Sequence, residues 1–567
     1  MPDAAALTRG TLDDLVASHR PLLDDALAAL RERGYWSAFN ESPSTKIWGE
    51  SAPGDGKAAF EALLGKDFPI TTPGASGAVA PERPPYGITL DVRYPHLQAD
   101  GVDALMSAAA AGMPAWRDAG PLARAAVCIE ILQRLNTCSF ELAHAVMHTT
   151  GQGFVMAFQA GGAHALDRAL EAVASGYAAM AAAPQTAPFS KPRGRGEPQR
   201  LVNTFVAVPR GVGLVVGCTT FPTWNSYPGL FATLVTGNPV VVKPHPHAVL
   251  PLALAVSTAR SVLDEYGFDP NLVTLAVEEP DERLASALAT HPDVRIVDFT
   301  GSTSYGKWLE ENARQAVVFT EKSGVNAVVI DSTNDLPGLA ANLAYSLALY
   351  SGQMCTTPQV ILVPAGGFDA AAGHCSVDDF INALSVALDD LLGEPARATA
   401  ILGAIVNDDV LARLDAANAG PNVVIASKIV EHKDFPGARV RTPAVVRLDA
   451  SDTEAYGNEC FGPVAFVVET RDTAHSLEVW RELTTTKGAL TASVYSTSDD
   501  VIDRAADVAL DCGVSVSFNL TGDVYVNQTS AFADFHGTGA NPAANASLTD
   551  GAFVANRFRF VEFRRPA

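Results

Sequence analysis

The sequence is short of cysteine, of positive charge and of long apolar runs, and each shortage excludes something. Seven cysteines, at 128, 138, 218, 355, 375, 460 and 512, are scattered through 567 residues in an odd number with no CxxC pair. This spacing argues against a disulfide framework or a zinc ribbon and for a reducing, cytoplasmic setting. Forty Lys and Arg against sixty-three Asp and Glu leave a formal charge of −23. Such a balance works against nucleic acid as a partner, because affinity for a phosphate backbone comes from clustered cations. No stretch approaches the roughly 20 uninterrupted apolar residues that span a bilayer, so no membrane partner is expected. The opening MPDAAALTRG has no cationic region followed by an apolar run, and no secretory leader is expected there. No internal repeat or low-complexity tract is found.

What the chain does have is core-forming material: 48% of its residues are apolar and 18% charged. At roughly 150 residues per domain it holds about three to four domain-sized units. Residues 11 to about 34 carry apolar side chains at helical spacing and stop at Gly34. Residues 35–98 are rich in Pro, Gly and Ser with little periodicity, so 1–98 reads as an appended, partly irregular segment. From 103 to about 183 the Ala- and Leu-rich text (ARAAVCIEILQRL, SFELAHAVMHTTG, ALDRALEAVASGYAAMAAA) predicts consecutive helices. A basic stretch with Lys191, Arg193, Arg195 and Arg200 follows, running into the alternating LVNTFVAVPRG; this predicts an exposed hairpin over about 186–210. After Gly211, apolar strands (VGLVVG, PVVVK, NLVTLAV, VRIVDFT) alternate with helices, and a second alternating block runs from NAVVID to about 518. This is the pattern of parallel sheets covered on both faces.

Four local patterns carry chemistry, each weak alone. In VRIVDFT-GSTSYG-KWLEENA a strand runs through Gly301, Ser302 and Gly306 into a helix, whose N-terminal N–H groups suit a phosphate. Cys355 in SGQMC offers a thiol, the readiest nucleophile near neutral pH, although a lone Cys is far more often a small buried hydrophobe. Glu321, just after an apolar strand in VVFTEKSG, has the chemistry of a general base or simply of a strand end. In FPTWNSYP, two prolines and an aromatic pair predict a rigid turn, from which the Asn225 amide can serve a developing oxyanion. His144 and His148 lie four apart on a predicted helix, but no third ligand is evident and no metal site is expected. Cys128, Cys138, Cys218, Cys375, Cys512 and Trp116 read as structural, while Cys460 stands beside Glu459 with nothing in the sequence to mark it as reactive.

In chain order these patterns, with Lys243 in VVVKPHP and Glu459 and Phe461 in NECFGPV, resemble the aldehyde dehydrogenase superfamily. That family has a Pro-Trp-Asn turn, a Lys-Pro strand end, GSTxxG, a Glu-Leu-Gly-Gly motif, Gly-Gln-x-Cys and Glu-x-Phe-Gly-Pro. The resemblance covers about 103–560. It implies an α/β fold with a Rossmann-type cofactor domain (99–320, including the hairpin as an oligomerisation arm), a catalytic α/β domain (321–534) and a C-terminal oligomerisation segment (535–567). It implies at least a homodimer. It also implies Cys355 as nucleophile, Asn225 as oxyanion donor and Glu321 as base, with Lys243, Gly301, Ser302, Gly306, Glu459 and Phe461 holding a nicotinamide dinucleotide. NAD-preferring relatives often carry a Glu three positions after the lysine; here it is Pro246, with His245 and His247 beside it, so NADP is expected over NAD. The long N-terminal extension and the EKSGVN and GQMCTTPQ variants resemble a narrower branch, the ring-opening semialdehyde dehydrogenases of phenylacetate catabolism. That branch implies a CoA-linked semialdehyde as substrate. Rival readings are a CoA-acylating aldehyde dehydrogenase or acyl-CoA reductase, and a non-catalytic protein of the same fold. Lys322, Ser323 and Val325 depart from the glutamate motif, and Gln359 stands where the family often has Arg.

Overall fold

The computed structural model describes residues 11–567, so the leader reading made on residues 1–10 lies outside the described residues. Val212–Val216, Val240–Lys243, Val273–Leu275, Val294–Thr300 and Val317–Glu321 form a five-stranded, wholly parallel sheet. Numbered along the chain, its spatial order is 3-2-1-4-5. The first and fourth strands are neighbours, and the loops leaving their carboxyl ends border a crevice where the winding reverses, the usual place for a ligand in such sheets. Those two loops carry Gly217–Phe221 and Gly301–Ser302. Val-rich strands buried on both faces explain the near-continuous apolar runs of the sequence.

A second sheet has seven strands in the order Val423–Ile425, Ala444–Asp449, Val464–Thr470, Val360–Pro364, Ala327–Ile330, Thr491–Tyr495 and Ser515–Phe518. Only its first pair is antiparallel. Thr186–Lys191 and Gln199–Pro209 form the predicted hairpin, and Phe558–Pro566 adds a third antiparallel strand along nine partners, from Phe558 opposite Pro209 to Pro566 opposite Leu201. Just before that strand, the fully buried Arg557 makes two bonds to Asp298, 2.6 and 2.7 Å, and a third to Thr233 Oγ1 at 2.6 Å. The aldehyde dehydrogenase-like α/β architecture expected from the sequence is therefore present.

Two local expectations change. FPTWNSYP is helical from Pro222, in the helix Pro222–Val235, because Pro is well suited to a first turn, where its missing N–H needs no partner. Residues 35–98 also contain regular elements: the helix Ala52–Leu63 and a small ladder, Ala78–Val79 with Tyr94–Pro95. The helix Leu12–Glu32 starts with a capping box from Thr11 and Asp14 and is tied to the helix Gly120–Thr137 through His19 and Glu130, 2.8 Å. Glu82 accepts the N–H groups of Val249 and Leu250 at 2.8 Å each, at the start of the helix Leu250–Glu265. The N-terminal segment is thus built into the body of the protein. Phe60 stacks on His144 and His148, with ring centroids at 5.7 and 5.2 Å, and burial pushes His148 down to about 4. This histidine pair holds the helix Ala52–Leu63 in place. Among the described residues all seven cysteines are free, and no helix is long and apolar enough to cross a membrane.

Candidate active site

Cys355 follows a kink at the end of the helix Leu336–Ala348. Tyr350 and Ser351 have φ of 53° and 49°, and Gly352 follows at 63°. Left-handed backbone at two non-glycine residues costs on the order of 1–3 kcal/mol each and persists only where the surroundings over-determine it. They do: Ser351 Oγ lies 3.0 Å from the Leu402 carbonyl, and the Gln353 amide donates to the carbonyls of Tyr350 and Ala404 at 3.2 and 3.1 Å. On the other side, Asn326 donates from Nδ2 to the carbonyls of Cys355 and Thr357 at 2.8 and 3.0 Å. Its Oδ1 accepts from the N–H groups of Leu490 and Thr491. Asn326, the last residue of EKSGVN, therefore ties the nucleophile loop to the second sheet.

Glu321 ends the strand Val317–Glu321 and is buried. Its Oε2 lies 3.0 Å from Nε2 of His536, and that nitrogen lies 4.0 Å from the Cys355 sulfur. Ligand atoms of Glu321, Cys355 and His536 all fall within 4.8 Å of one another. His536 is the functional residue that sequence reading missed. It sits in an irregular segment, AFADFHGTG, with no periodicity or spacing to single it out, and is fixed by an edge contact with Trp224, 4.7 Å between ring centroids.

Burial pushes the Glu321 carboxyl up, but the His536 imidazole, with the neighbouring Cys355 thiol, outweighs this and holds it below the ordinary range. The Cys355 thiol moves the other way, well above its ordinary value, first from burial and then from the neighbouring carboxylate. Asn225 lies in the first turn of its helix; the Cys218 thiol donates to its Oδ1 at 3.5 Å, and its buried Nδ2 has no partner. Leaving such a donor unpaired in the resting protein is unfavourable, which marks it as a group held for a ligand.

Two cavities meet at Cys355 and Asn225, both of which line each of them. One, of about 780 Å³, extends past Trp224, Met354 and Tyr345 towards Trp36. The other, of about 690 Å³, is lined by Gly301, Ser302, Glu321, Glu459 and Phe461. Ser302 caps the helix Thr303–Asn312, whose N-terminus opens on this cavity. A Cβ at Gly306 would sit 2.5 Å from Lys322 Cγ, so the helix can lie this close to the strand end only with glycine there. Arg83, Arg413 and Arg439 add positive charge. A helix N-terminus, a glycine-dependent close packing and local cations fit the pyrophosphate of a dinucleotide.

The departures from the family pattern acquire physical roles. Lys322 pairs with Glu310 at 2.7 Å. Ser323 and the Gly324 amide hydrogen-bond Glu459, while burial pushes that carboxyl up. Gln359 donates to the carbonyls of Tyr456 and Asn458 and accepts from the Cys460 N–H, at 3.2, 2.8 and 2.6 Å, so a neutral amide holds the loop that presents Glu459 and Phe461. Lys243 does not join this group: buried at its strand end, it pairs with Glu278.

The chain matches the family model described as "Aldehyde dehydrogenase family" over residues 78–544. It is 26% identical over 320 residues to the 1-pyrroline-5-carboxylate dehydrogenase of Bacillus subtilis, covering 54% of this chain and 58% of that protein. It is 27% identical over 318 residues to the vanillin dehydrogenase of Corynebacterium glutamicum, covering 54% and 60%. The matches thus span less than two thirds of these curated relatives' lengths. A crystal structure of an NAD-dependent aldehyde dehydrogenase from Burkholderia multivorans is similar over 98% of this chain and 99% of its own, at 55% identity and a TM-score of 0.95.

Proposed function

Since this chain belongs to the aldehyde dehydrogenase family, we propose that it oxidises an aldehyde to the carboxylic acid through a thioester on Cys355. The observation that carries this reading is that Cys355 and Asn225 form the wall shared by the two cavities, with Glu321 in the second one beside them. A carbonyl carbon arriving from the first cavity meets the sulfur at the face of the second.

Cys355 attacks that carbon while its proton passes to Glu321. An S–C bond forms and the carbonyl π pair becomes an oxyanion, for which the unpartnered Asn225 Nδ2 and the Cys355 N–H are the donors. Removing one such donor typically costs about 3–4 kcal/mol of barrier. A nicotinamide dinucleotide, when bound by Gly301, Ser302, Glu459 and Phe461, supplies the hydride acceptor. Collapse of the oxyanion leaves Cys355 acylated. Glu321, having released its first proton to solvent, then takes one from water, and the resulting attack on the thioester frees the acid and the sulfur. His536 donates from Nε2 to Glu321 Oε2 and holds the base in place. A carboxylate so placed favours water over CoA as acyl acceptor, because a thiol needs no comparable base.

We read the dinucleotide as NAD. The 55% identical structure from Burkholderia multivorans is that of an NAD-dependent aldehyde dehydrogenase, which supports this reading. The preference for NADP drawn from Pro246 rested on a missing carboxylate, and Glu278, just after the next strand, stands beside Lys243. The test is reduction of NAD by the purified protein with uncharged aldehydes, propanal to octanal and benzaldehyde. One acid is expected per reduced nicotinamide, with no gain from CoA and a higher kcat/KM with NAD than with NADP. Failure of every aldehyde would sink the proposal.

A CoA-linked semialdehyde of phenylacetate catabolism, the narrower class implied by EKSGVN and GQMCTTPQ, would have to bring a polyanion through the first cavity. That cavity offers no Lys or Arg side chain, so this reading stops at the aldehyde. The three-stranded sheet closed by Phe558–Pro566 shows Phe560 and Phe563 at 43% and 53% exposure. We take it as an assembly arm, and sedimentation should give a mass at least twice 59.4 kDa; a monomer mass would exclude that role.

A further inference from the structure

The aldehyde-side cavity is not enclosed by the two sheets' domains alone. Tyr35, Trp36, Ser37 and Glu41, all before the span that matches the family, form part of its wall. They are held there firmly. Arg33 ends the helix Leu12–Glu32 at φ 54°, reaches Glu171 at 3.2 Å and lies 3.9 Å over the Phe535 ring. Trp36 meets Phe532 edge-on at 4.8 Å. Ser37 Oγ and the Ala38 N–H donate to the two oxygens of Asp167 at 2.6 and 2.9 Å, and Glu41 pairs with His164 at 2.6 Å. A segment packed this way is a fixed wall, able to select among ligands at little entropic expense.

The wall has one sign of charge. Glu41, Asp167, Asp523 and Asp534 line it, and the basic side chains among the lining residues are two histidines, His164 paired with Glu41 and His536 paired with Glu321. The cation behind Asp534 is Arg168, itself buried and paired with Glu171 as well, at 2.5 and 2.9 Å. The dinucleotide-side cavity differs, since Arg83, Lys322, Arg413 and Arg439 stand in its lining beside Glu321, Asp408 and Glu459. Between the acidic groups stand ring faces: Trp36, Trp224, Tyr345 and Tyr525. Asn527, 2% exposed and in the same wall, has an Oδ1 with no partner, an acceptor available to a donor that the protein does not supply. Carboxylates, ring faces and an open carbonyl acceptor all favour a cation, and none favours an anion.

We propose that residues 35–41 are a substrate-selecting element, and that the aldehyde this cavity takes carries an ammonium or quaternary ammonium group remote from the carbonyl and not a carboxylate. This rests on the reading of Cys355 as the aldehyde-oxidising nucleophile. The cationic end lies among Glu41, Tyr525 and Asp523 while the carbonyl reaches Cys355.

The test compares two charge pairs in the full-length enzyme with saturating NAD: 4-(trimethylammonio)benzaldehyde against 4-carboxybenzaldehyde, and 4-(trimethylammonio)butanal against 5-oxopentanoate. In whichever pair is turned over, kcat/KM for the cation should exceed that for the anion on the order of tenfold at low salt, as expected for a cleft lined by one sign of charge. In Glu41→Gln the same ratio should fall several-fold. Comparing two substrates within one variant cancels any general loss of activity, and the half-exposed Glu41 side chain makes misfolding an unneeded explanation. A cation-to-anion ratio of one or less would overturn the substrate class. A ratio unchanged by Glu41→Gln would overturn the role of residues 35–41. Turnover of uncharged aldehydes with either result leaves the proposed activity standing; its absence would remove the activity itself.

Discussion

Cys355→Ala should abolish NAD reduction by any aldehyde while leaving the protein folded and able to bind the dinucleotide. The sulfur is the only protein atom in the proposed path that forms a bond to the substrate. The neighbouring Cys218 thiol does not replace it, being oriented towards Asn225 Oδ1. Losing a nucleophile from a unit that acts together typically removes a factor of about 10⁶ in kcat. Fluorescence titration with NADH should give an unchanged Kd. Residual turnover at even a hundredth of the wild-type rate would mean that the chemistry does not pass through this sulfur. Alanine at 355 loses little packing, since the apolar cluster the thiol joins is the small one of Leu490, Ala543 and Ala544.

The second large effect belongs to the base. With Glu321→Gln, steady-state turnover should fall by about 10²–10⁴, the usual contribution of a positioned general base. A single burst of reduced nicotinamide, one per active subunit, should remain but form more slowly, because the Cys355 proton then passes only to solvent while the acyl-enzyme still accumulates. His536→Asn should keep part of the steady-state rate and change its pH profile. The imidazole helps to hold Glu321 below the ordinary carboxyl range, so removing it lets the carboxyl titrate at higher pH and moves the acidic limb of kcat upward. Acid-quench measurement of the burst and a kcat profile between pH 5 and 9 separate the two. An unshifted acidic limb would leave His536 with a purely structural role, and a burst at the wild-type rate in Glu321→Gln would confine Glu321 to the attack of water.

The parts of this site that can be read from the sequence are those attached to regular structure. Glu321 ends a Val-rich strand, Ser302 caps a helix after another, and Asn225 begins a helix after a third. Periodicity finds the strand, and the residue at its end follows. Cys355 was legible for a different reason, a short motif in chain order. His536 and residues 35–41 had neither support, since both lie in irregular chain whose position depends on distant partners such as Trp224 and Asp167. The helix Ala52–Leu63 escaped notice because two glycines and a proline dilute its pattern; a Cβ at Gly56 would meet Phe140 Cβ at 2.3 Å, so glycine is there for close packing. Glu278 shows the limit of motif arithmetic. A carboxylate missing at one position of the chain returns to Lys243 from the loop that follows a neighbouring strand, and only the sheet order brings the two together.

Arg557 gives the dinucleotide-type sheet a condition of assembly in time. Asp298 is buried in that sheet's fourth strand, and its partner lies 259 residues further along the chain. While the chain is being synthesised, that carboxylate has no guanidinium to meet until nearly all of the second sheet's strands have emerged. The hairpin likewise waits for its third strand. At translation speeds of about 5–20 residues per second, the first sheet spends on the order of ten seconds or more without its lock. Completion of the first sheet therefore waits on residues made after the whole second sheet, and a chain released before Arg557 would carry a complete set of site residues on an unfinished frame.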